Sequence, residues 1–528
     1  MARIARRTTP LLRLPGCGSD PVNLADLVRG SADRFPSKPA LVFHGRALTY
    51  GDLDQRIDLT AAALSELGVG KGDRVALLAG NVPEFVEALY GTMRAGGVVC
   101  PLNVMLTPEE FAYILADAGA SAVVTELTYL PGLLSVRDRL ADLDAVLVIG
   151  GPPAPAGTVS LEEALLGAGD PPDVEVEDSD LAAIAYTAGT TASPKGAMLS
   201  HANLTANLEQ ISAVPALDEA SEDVVLLTLP LHHIYALNVV LGLTMKAGAT
   251  AVLAERFDPE ESIDLIRRHG VTVVFGAPPM FASWLALPDP GDVRDSLFSV
   301  RLAASGAAPL PAEVLEAFRT RLGVTIWEGY GLTESGPAVT TCALGETAKP
   351  GSVGLPLPGL EVRLVDEDGD EVEGGDPGEI WVRGPNVFQG YWRKPEATGE
   401  VLEEGWLKTG DVAVRDEEGY LYLVDRKKDL IMVSGFNVFP SEVEEAILQH
   451  PKVAEAAVVG VPDERTGEAP QAWVVPTPEA ALTEEEVLGF LRGYVARFKL
   501  PRDVRIVEEL PHHVTGKVLR RMLRPETA

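Results

Sequence analysis

The sequence predicts a multidomain α/β protein: a large N-terminal domain of helix-covered sheets with a β-rich subdomain, and a small α/β C-terminal domain. Short β-branched runs such as RVALLAG, SAVVTEL, DAVLVIG, TAVLAERF and TVVFGAPP alternate with helical patterns, which is typical of parallel sheets covered by helices. From about residue 360 the pattern changes, and EVRLVDEDGDEV and GEIWVRG resemble hairpin strands around an acidic turn. The last residues, about 100 in number, have strands and helices of their own, enough for a small domain.

The elements follow in order along the chain. LADLVRGSADRF predicts an amphipathic helix, RVALLAG a buried strand, and PEFVEALYGTMRAGGVVCPLN a helix, a glycine stop and another strand. Residues 151–180 are rich in Pro, Gly and acidic residues, and they predict a surface connection. SEVEEAILQHPKV, AEAAVVGVPD, QAWVVPT and TEEEVLGFLRGYVARF continue the α/β pattern near the end. We place a domain boundary near Asp425, in a charged stretch suited to a hinge, which gives domains 1–424 and 425–528.

Composition excludes several classes of protein. The 528 residues are 46% hydrophobic and 23% charged, as in an ordinary globular protein, so intrinsic disorder is excluded as the main state. There are 44 basic and 77 acidic residues, and the net charge of −33 argues against a general nucleic-acid or anionic-membrane binder. Because this charge repels anions at long range, a phosphate-bearing substrate must meet a local basic site.

Cysteine usage and the N-terminus indicate a cytoplasmic protein. Cys17, Cys100 and Cys342 cannot form a disulfide framework and match no metal-site spacing. The N-terminal leucine pair lies in an apolar run that Arg13 and prolines interrupt, so we expect no export signal. No stretch of 18 uninterrupted apolar residues is present, so no membrane span is expected.

A candidate phosphate loop follows the apolar strand DLAAIAY, within YTAGTTASPKGAMLSHANL (residues 186–204). Hydroxyls and exposed N–H groups of a glycine-containing loop form a concave anion site, and a lysine adds a point charge. Pro194 stands where a Walker loop needs its second glycine, so the P-loop interpretation fails. A polar surface loop is the alternative. The residues concerned are Thr187, Gly189, Thr190, Thr191, Ser193 and Lys195.

A second candidate segment is WEGYGLTESGP, residues 327–337. Tyr330 offers a flat face for a purine, Thr333 a hydroxyl, and Glu334 a hard oxygen ligand suited to Mg²⁺. RLAASGAAPL precedes it by one helix, so both turns can reach the same sheet edge, where α/β proteins bind ligands. Glu334 occupies the third glycine position of a dinucleotide fingerprint, which excludes that motif. The alternative is a tight turn with an exposed glutamate.

Three later segments add charged candidates. Asp411, in WLKTGDV, can accept two ribose hydroxyls because an ionised carboxylate is a bidentate acceptor. Arg426, Lys427 and Lys428 form a local basic cluster, for which a solvated face is the alternative. LPHHVTGKVLRRMLR places Lys517 after a Thr-Gly turn. The arginines at helical spacing behind it are Arg520, Arg521 and Arg524.

Together these segments resemble the acyl-CoA synthetases of the adenylate-forming superfamily, which includes carrier-loading adenylation domains and beetle luciferases. Matching segments occur in the family's order across residues 20–525. EGYGLTES and VDRKKDLIMVSGFNV are most similar to bacterial fatty-acyl-CoA ligases, and PLHHIYALN to plant-type aryl-CoA ligases such as 4-coumarate-CoA ligase. The resemblance implies an AMP-forming ligase that uses ATP, Mg²⁺ and CoA. A carboxylate attacks the α-phosphate to give acyl-AMP and pyrophosphate, the small domain rotates, and the CoA thiol then attacks the acyl carbon.

The resemblance also implies the nucleotide site. Lys517 would bridge the carboxylate and the α-phosphate, and its charge would offset charge developing in the transition state. Glu334 would bind Mg²⁺, and Asp411 with Arg426 would hold the ribose. The catalytic residues would be Lys517, Thr187, His233 and Glu334. The ATP or AMP site would comprise Thr187, Ala188, Gly189, Thr190, Thr191, Lys195, Gly306, Ala307, Ala308, Glu328, Gly329, Tyr330, Gly331, Thr333, Asp411, Arg426 and Lys517.

The remaining implied sites concern the acid, CoA and the hinge. His233, Tyr235, Gly306 and Gly331 would line the acyl pocket; Arg256, Ser434 and Gly435 would contact CoA; and Lys428 would be the hinge. For a lone histidine among apolar residues, a satisfied core group is the alternative. On a strand, the adjacent His232 and His233 would face opposite ways, so they would not chelate a metal together.

Departures from the family pattern leave several questions open. Ala188 stands where most relatives have serine or glycine, and Ala192 where they usually have glycine. If Ala192 adopts a positive φ, the strain costs about 1 kcal/mol, so Ala192→Gly is expected to lower the KM for ATP. Met432 replaces a lysine of plant-type hydroxycinnamate ligases, which favours an aliphatic acid. Open alternatives are an aryl or unusual acid, a carrier protein or another acceptor instead of CoA, a silent ligand-binding relative, and a homodimer.

Overall fold

A computed structural model gives the architecture. It describes residues 23–523 except 152, 188–193, 367, 373, 427–428, 434–435, 464–465, 479, 496 and 513–517. Four β-sheets form the framework, and helices cover the two largest of them. The predicted α/β multidomain fold is therefore confirmed. In the described part of the chain, no helix is both long and apolar enough to cross a membrane.

The first part of the chain builds a seven-stranded sheet, which is called the second sheet below. Its strands have the order β7-β6-β5-β3-β4-β8-β9. Its pairs are parallel except the β8–β9 hairpin. The predicted first helix and the strands in RVALLAG, SAVVTEL and DAVLVIG are confirmed. The elements are α1 (Asp26–Arg34), β1 (Pro39–Phe43), β2 (Arg46–Thr49), α2 (Tyr50–Glu66), β3 (Arg74–Leu78), α3 (Pro83–Arg94), β4 (Val98–Pro101), α4 (Pro108–Ala118), β5 (Ala120–Glu126), α5 (Leu130–Val136), β6 (Ala145–Ile149), β7 (Val159–Ser160), α6 (Leu161–Gly167), β8 (Leu181–Thr187) and β9 (Lys195–Ser200).

The connection 151–180 is more than the surface loop that its composition predicts. It contains β7, which adds an edge strand to the second sheet, and α6, which begins at an N-cap formed by Ser160. Leu161 and Leu165 of α6 are buried, one helical turn apart. The short apolar pattern VSLEEALL therefore overrides the surrounding Pro, Gly and acidic residues.

The next part builds most of a nine-stranded sheet, which is called the first sheet below and also includes β1 and β2. Its strands have the order β16-β15-β14-β13-β12-β10-β11-β1-β2. Its central strands are parallel, so their carboxyl ends lie at one edge. The elements are α7 (His201–Ser212), β10 (Val224–Leu227), a helix over Tyr235–Gly242 that continues into α8 (Leu243–Ala247), β11 (Thr250–Leu253), α9 (Pro259–His269), β12 (Val273–Gly276), α10 (Pro278–Leu285), α11 (Pro290–Ser296), β13 (Leu302–Ser305), α12 (Ala312–Ala317), β14 (Ile326–Gly331), β15 (Ala338–Thr341) and β16 (Leu355–Pro356).

The third sheet is antiparallel and has the order β17-β18-β20-β19, with β21 paired to β20. The predicted hairpin of EVRLVDEDGDEV and GEIWVRG is confirmed as β17 and β18. The acidic turn between them is stabilised because the Asp366 carboxylate accepts backbone N–H bonds from Asp368 and Asp370. The elements are β17 (Glu361–Val365), β18 (Gly378–Arg383), α13 (Pro395–Val401), β19 (Leu402–Glu403), β20 (Trp406–Arg415) and β21 (Leu421–Arg426).

The fourth sheet, with the order β23-β22-β25-β24 and β26 paired to β25, has a hydrophobic core of its own. Ile431, Val458, Val474 and Leu491 are fully buried in that core. Asp425 lies near the end of β21, and β22 already belongs to the fourth sheet; the domain boundary there stays a prediction. The elements are β22 (Ile431–Val433), β23 (Phe436–Val438), α14 (Pro440–Leu448), β24 (Val453–Asp463), β25 (Gly467–Pro476), α15 (Glu484–Leu491) and β26 (Asp503–Ile506).

Candidate functional site

A hydrogen bond joins two predicted site residues from different sheets. Tyr330 lies on β14 and Asp411 on β20, and the Tyr330 hydroxyl donates to Oδ2 of Asp411 at 2.7 Å. Both residues are buried. Asp411 also stands opposite Arg426 in the β20–β21 register, although the side chain of Arg426 lies outside the described residues. The purine platform and the ribose acceptor predicted from sequence are thus brought together.

Glu334 lies in a short turn, Thr333–Ser335, directly after β14. Its Oε1 accepts a 2.7 Å hydrogen bond from the hydroxyl of Tyr391, and its carbonyl accepts one from the Phe388 N–H at 2.9 Å. Burial and the neighbouring Glu334 carboxylate raise the pKa of Tyr391, so the hydroxyl stays protonated at physiological pH and donates a hydrogen bond. The Lys195 ammonium lies 5.1 Å from the Tyr391 ring centroid. One tyrosine therefore contacts both the candidate cation ligand and the candidate phosphate-loop lysine.

The two ends of the candidate phosphate loop are fixed by the β8–β9 hairpin. Thr187 stands opposite Lys195, and the Thr187 hydroxyl donates to the Lys195 carbonyl at 3.4 Å. Residues 188–193, between them, lie outside the described part of the chain. Among the predicted site residues this concerns Ala188, Gly189, Thr190 and Thr191, together with Ala192 and Ser193.

Glu328 is buried beneath the same strand ends, with a 4% exposed surface. Its Oε1 accepts the Leu310 N–H at 2.9 Å, and Oε2 has no hydrogen-bond partner among the described residues. Burial raises the pKa of Glu328 to about 8, against a smaller lowering by the Leu310 N–H. The side chain is therefore mostly a neutral acid at pH 7.

The segment after β13 lies beside Glu328, because Ser305 and Glu328 are register partners in parallel strands. It contains Gly306, Ala307 and Ala308, which sequence resemblance assigns to the nucleotide. Ala307 has a φ of +69°, a left-handed conformation that costs a non-glycine residue roughly 1 kcal/mol. Strain of this kind is typical of functional sites, and nothing in the sequence pattern predicts it.

The candidate acyl-pocket residues Tyr235, Gly306 and Gly331 are close to the same edge. A Cβ on Gly306 would stand 3.3 Å from the Tyr235 ring, so that glycine allows the ring to approach. A Cβ on Gly331 would come within 2.0 Å of the Pro337 carbonyl oxygen, which requires glycine there. Tyr235 also meets Phe275 edge to face at 6.3 Å. These contacts place an edge-to-face aromatic pair next to Gly306.

His233 differs from the sequence expectation in its backbone. It lies in a turn that leads into the helix at Tyr235, not on a strand, so the strand-based argument about His232 and His233 was wrong. The Tyr235 N–H lies 3.3 Å from Nδ1 of His233 and donates to it. A proline at 230, whose carbonyl accepts the His233 N–H, begins the turn and explains the difference.

Of the residues predicted for CoA binding, the hinge and acid activation, the structure describes Arg256. Arg256 is exposed, just after the carboxyl end of β11 and thus at the common edge. Lys428, Ser434, Gly435 and Lys517 lie outside the described residues. Arg520, which was predicted to stand behind Lys517, forms ion pairs with Glu444 at 2.6 Å and with Asp429 at 3.7 Å inside the C-terminal part.

In the part of the chain that the structure describes, the donor set suits Mg²⁺ bound together with substrate and does not form a protein-only metal cage. Among the described residues, no group of three or more His, Cys, Asp or Glu could hold a metal ion. A single carboxylate such as Glu334, held by a hydroxyl, matches the way Mg²⁺ is bound by one or two carboxylates together with substrate phosphates and water.

Comparison with known proteins covers nearly the whole chain. Residues 28–392 match the family described as AMP-binding enzyme, and residues 442–517 match the AMP-binding enzyme C-terminal domain. A long-chain-fatty-acid–CoA ligase of Yersinia pestis is 39% identical over 96% of this chain and 94% of its own length. A feruloyl-CoA synthase of an Amycolatopsis species is 38% identical, covering 97% and 99%. The crystal structure of ATP-bound MatB from Rhodopseudomonas palustris superposes with a TM-score of 0.86 and 35% identity over 95% of this chain and 98% of that chain.

Proposed function

The chain belongs to the AMP-binding enzyme family as an AMP-forming acid–CoA ligase, and we propose that the acid it activates is a fatty acid. ATP and CoA are its co-substrates. The long-chain-fatty-acid–CoA ligase relative supports the aliphatic acid, as does Met432, which replaces the lysine of hydroxycinnamate ligases.

The observation that carries this function is the convergence of Tyr330, Asp411, Glu334 and Lys195 at one edge. Tyr330 would stack against the adenine while Asp411 accepts the ribose hydroxyls. Lys195 would neutralise the β- and γ-phosphates, which the acidic protein otherwise repels. Glu334 would hold Mg²⁺, whose charge, when bound, offsets that of the phosphates.

In the first half-reaction, a carboxylate oxygen of the acid attacks the α-phosphorus and the bond to the β-phosphate oxygen breaks. Pyrophosphate leaves, and acyl-AMP remains. Lys517 would neutralise the carboxylate and the α-phosphate as they approach each other. In the second half-reaction, the CoA thiol attacks the acyl carbon, AMP leaves, and the thiol proton passes to solvent. Ser434 and Gly435 would contact the CoA arm in that step, with Arg256 at the sheet edge and Lys428 as the hinge.

The proposal is tested by pyrophosphate release with Mg·ATP and short, medium, long and aryl carboxylates, with and without CoA. Products are identified by mass. We expect CoA thioesters from aliphatic acids, with one range of chain lengths preferred. Acyl-AMP without thioester would instead point to a carrier protein or another nucleophile as acceptor. No pyrophosphate release with any of these acids would contradict the proposal.

An aryl acid is the second candidate, because one observation favours it. Tyr235 lies beside Gly306 and packs edge to face on the buried Phe275, and an aromatic side chain of this kind packs well against a planar ring. The feruloyl-CoA synthase relative points the same way. Feruloyl-CoA formed faster than any aliphatic thioester in the assay above would move the assignment to this class.

We also propose a cytoplasmic location and leave a homodimer to be tested. Cys100 and Cys342 are both free and buried, which suits a reducing compartment. The substrates ATP and CoA are available in that compartment. Light scattering of the purified chain would give the oligomeric state.

A further inference from the structure

Residues 385–392, here termed the strap, run from β18 towards α13 and cross both candidate catalytic turns. On one side the strap holds the Glu334 turn: the Asn386 amide donates to the Ser335 carbonyl at 2.6 Å, and the Phe388 N–H donates to the Glu334 carbonyl at 2.9 Å. The Asn203 amide of α7 in turn donates to the carbonyls of Pro385 and Val387 at 2.8 Å. The strap is therefore fixed by hydrogen bonds next to Glu334.

On its other side the strap pairs with β9, which begins at Lys195. The Gln389 N–H donates to the Met198 carbonyl, and the Met198 N–H donates to the Gly390 carbonyl, both at 2.9 Å. The Trp392 N–H donates to the Gly196 carbonyl at 2.8 Å. One backbone segment thus links the lysine end of the phosphate loop to the turn that bears Glu334.

Tyr391 is the strap residue whose side chain reaches both groups. Its hydroxyl donates to Oε1 of Glu334 at 2.7 Å, and its ring lies 5.1 Å from the Lys195 ammonium. The residue is 9% exposed and its ring packs edge to face on Phe388, with centroids 5.0 Å apart, and the Tyr391 N–H donates to the Thr398 hydroxyl at 2.8 Å. A buried and well-held side chain of this kind can orient its neighbours.

We propose that Tyr391 is a positioning residue, which sets the carboxylate of Glu334 for the divalent cation of the nucleotide complex and holds Lys195 for the phosphates. A hydrogen bond to one carboxylate oxygen fixes rotation about the terminal torsion, so the second oxygen keeps one direction. The ring face attracts the ammonium without consuming its N–H donors, which stay directed to an anion. This inference rests on the proposed function, because it assumes that a metal–nucleotide complex binds here.

Tyr391→Phe tests the inference because it removes the hydroxyl and keeps the ring, its packing and the Lys195 contact. A hydrogen bond to a charged group is lost, so the affinity for Mn²⁺, measured by electron paramagnetic resonance with α,β-methylene-ATP present, should fall about tenfold. The same variant should raise the KM for Mg·ATP and leave the KM for the acid unchanged. A purely structural role would lower the melting temperature without this selective effect.

Two further variants separate positioning from packing. Tyr50→Phe removes another buried tyrosine hydroxyl, which donates to the carbonyls of Thr244 and Ala249, and it should leave Mn²⁺ affinity unchanged. In a Glu334→Gln background, Tyr391→Phe should add little further loss, because residues that act through one another are not additive.

Three results would overturn the inference. Unchanged Mn²⁺ affinity in Tyr391→Phe, with wild-type protein binding Mn²⁺ and nucleotide normally, would overturn it while leaving the proposed function intact. Full additivity of Tyr391→Phe and Glu334→Gln would do the same. Absence of nucleotide-dependent Mn²⁺ binding in the wild-type protein would overturn the proposed function, and this inference with it.

Discussion

The hydroxyl of Tyr330 donates a 2.7 Å hydrogen bond to Asp411 across the junction of the first and third sheets. The two residues are 8% and 6% exposed, so the bond lies in a region of low dielectric, where a hydrogen bond to a charged group is strong. The Thr409 hydroxyl also accepts the Asp411 N–H at 3.1 Å, which fixes the backbone at Gly410 within β20. Sheet packing therefore sets the distance between the proposed adenine platform and the proposed ribose acceptor.

Tyr330→Phe should weaken ATP binding while keeping the aromatic platform. Asp411 loses a donor, and a hydrogen bond to a charged group contributes about 1.5–3 kcal/mol, so we expect the KM for ATP to rise about tenfold or more. The KM for the acid should change little. Initial rates of pyrophosphate release over a range of ATP concentrations measure both constants.

Tyr422→Phe is the matched control for that experiment. Tyr422 donates to Asp416 at 3.3 Å in the same sheet, and neither residue belongs to the proposed site. An equal rise in the KM for ATP in both variants would mean that the third sheet is merely loosened and that the Tyr330–Asp411 bond has no special part in nucleotide binding.

Glu328→Gln should change the pH dependence of stability. The folded-state pKa of Glu328 is raised to about 8 from 4.5, so the folded protein keeps a proton that the unfolded chain releases. Stability from this group is present below pH 4.5 and is lost as pH rises through 8, a change on the order of 5 kcal/mol. The glutamine side chain of the variant cannot titrate, so urea unfolding between pH 5 and 9 should show the variant gaining stability over the wild type as pH rises.

The Glu328→Gln variant keeps the hydrogen bond from the Leu310 N–H, because the glutamine side-chain oxygen can accept it as Oε1 of Glu328 does. The variant and the wild type can therefore be compared directly. A difference in unfolding free energy that stays constant between pH 5 and 9 would contradict a raised pKa for Glu328.

Sequence predicted the strands where a local pattern carries the information, whereas the roles of the site residues stay predictions. RVALLAG and SAVVTEL became β3 and β5 because β-branched runs bury well. Tyr330, Glu334 and Asp411 were proposed as site residues from the segments in which they stand. Their mutual contacts were not, because a hydrogen bond between β14 and β20 depends on how two sheets pack.

Tyr391 escaped sequence analysis for a related reason. An aromatic pair after a glycine, as in QGYWRK, occurs equally in ordinary cores, and only the tertiary contacts to Glu334 and Lys195 distinguish this tyrosine. The positive φ of Ala307 was missed because alanine gives no local signal for a left-handed backbone. His233 was expected on a strand, although Pro230 begins a turn there.

Lys517→Ala should separate the two half-reactions. Lys517 lies outside the described residues, and its role as the bridge between the carboxylate and the α-phosphate is a prediction from sequence. Without its charge, adenylate formation should fall by about a hundredfold or more, whereas thioester formation from supplied acyl-AMP and CoA should stay nearly unchanged. Mass detection of acyl-AMP and acyl-CoA measures each step. An equal loss of adenylate formation and thioester formation would contradict a role for Lys517 in the first half-reaction alone.

The ring of His201 connects the start of the described chain to α7. Nδ1 of His201 accepts the Leu24 N–H at 3.0 Å, and the residue is 1% exposed at the first turn of the helix. Burial lowers the pKa of His201 to about 4, against the opposite influence of the nearby Asp180 and Asp178 carboxylates. The imidazole is therefore neutral in the folded protein at every pH above that value.

His201→Asn should remove one source of acid instability. Because the folded pKa is depressed from 6.5 to about 4, stability from this group is present above pH 6.5 and is lost as pH falls through 4, by about 3 kcal/mol. The asparagine oxygen can accept the Leu24 N–H but cannot titrate. The variant should therefore be less stable than the wild type at pH 7.5, where a smaller side chain leaves a cavity, and that deficit should shrink as pH falls. Urea unfolding followed by tryptophan fluorescence between pH 7.5 and 4 measures the difference, and a constant deficit would show that His201 does not titrate in this range.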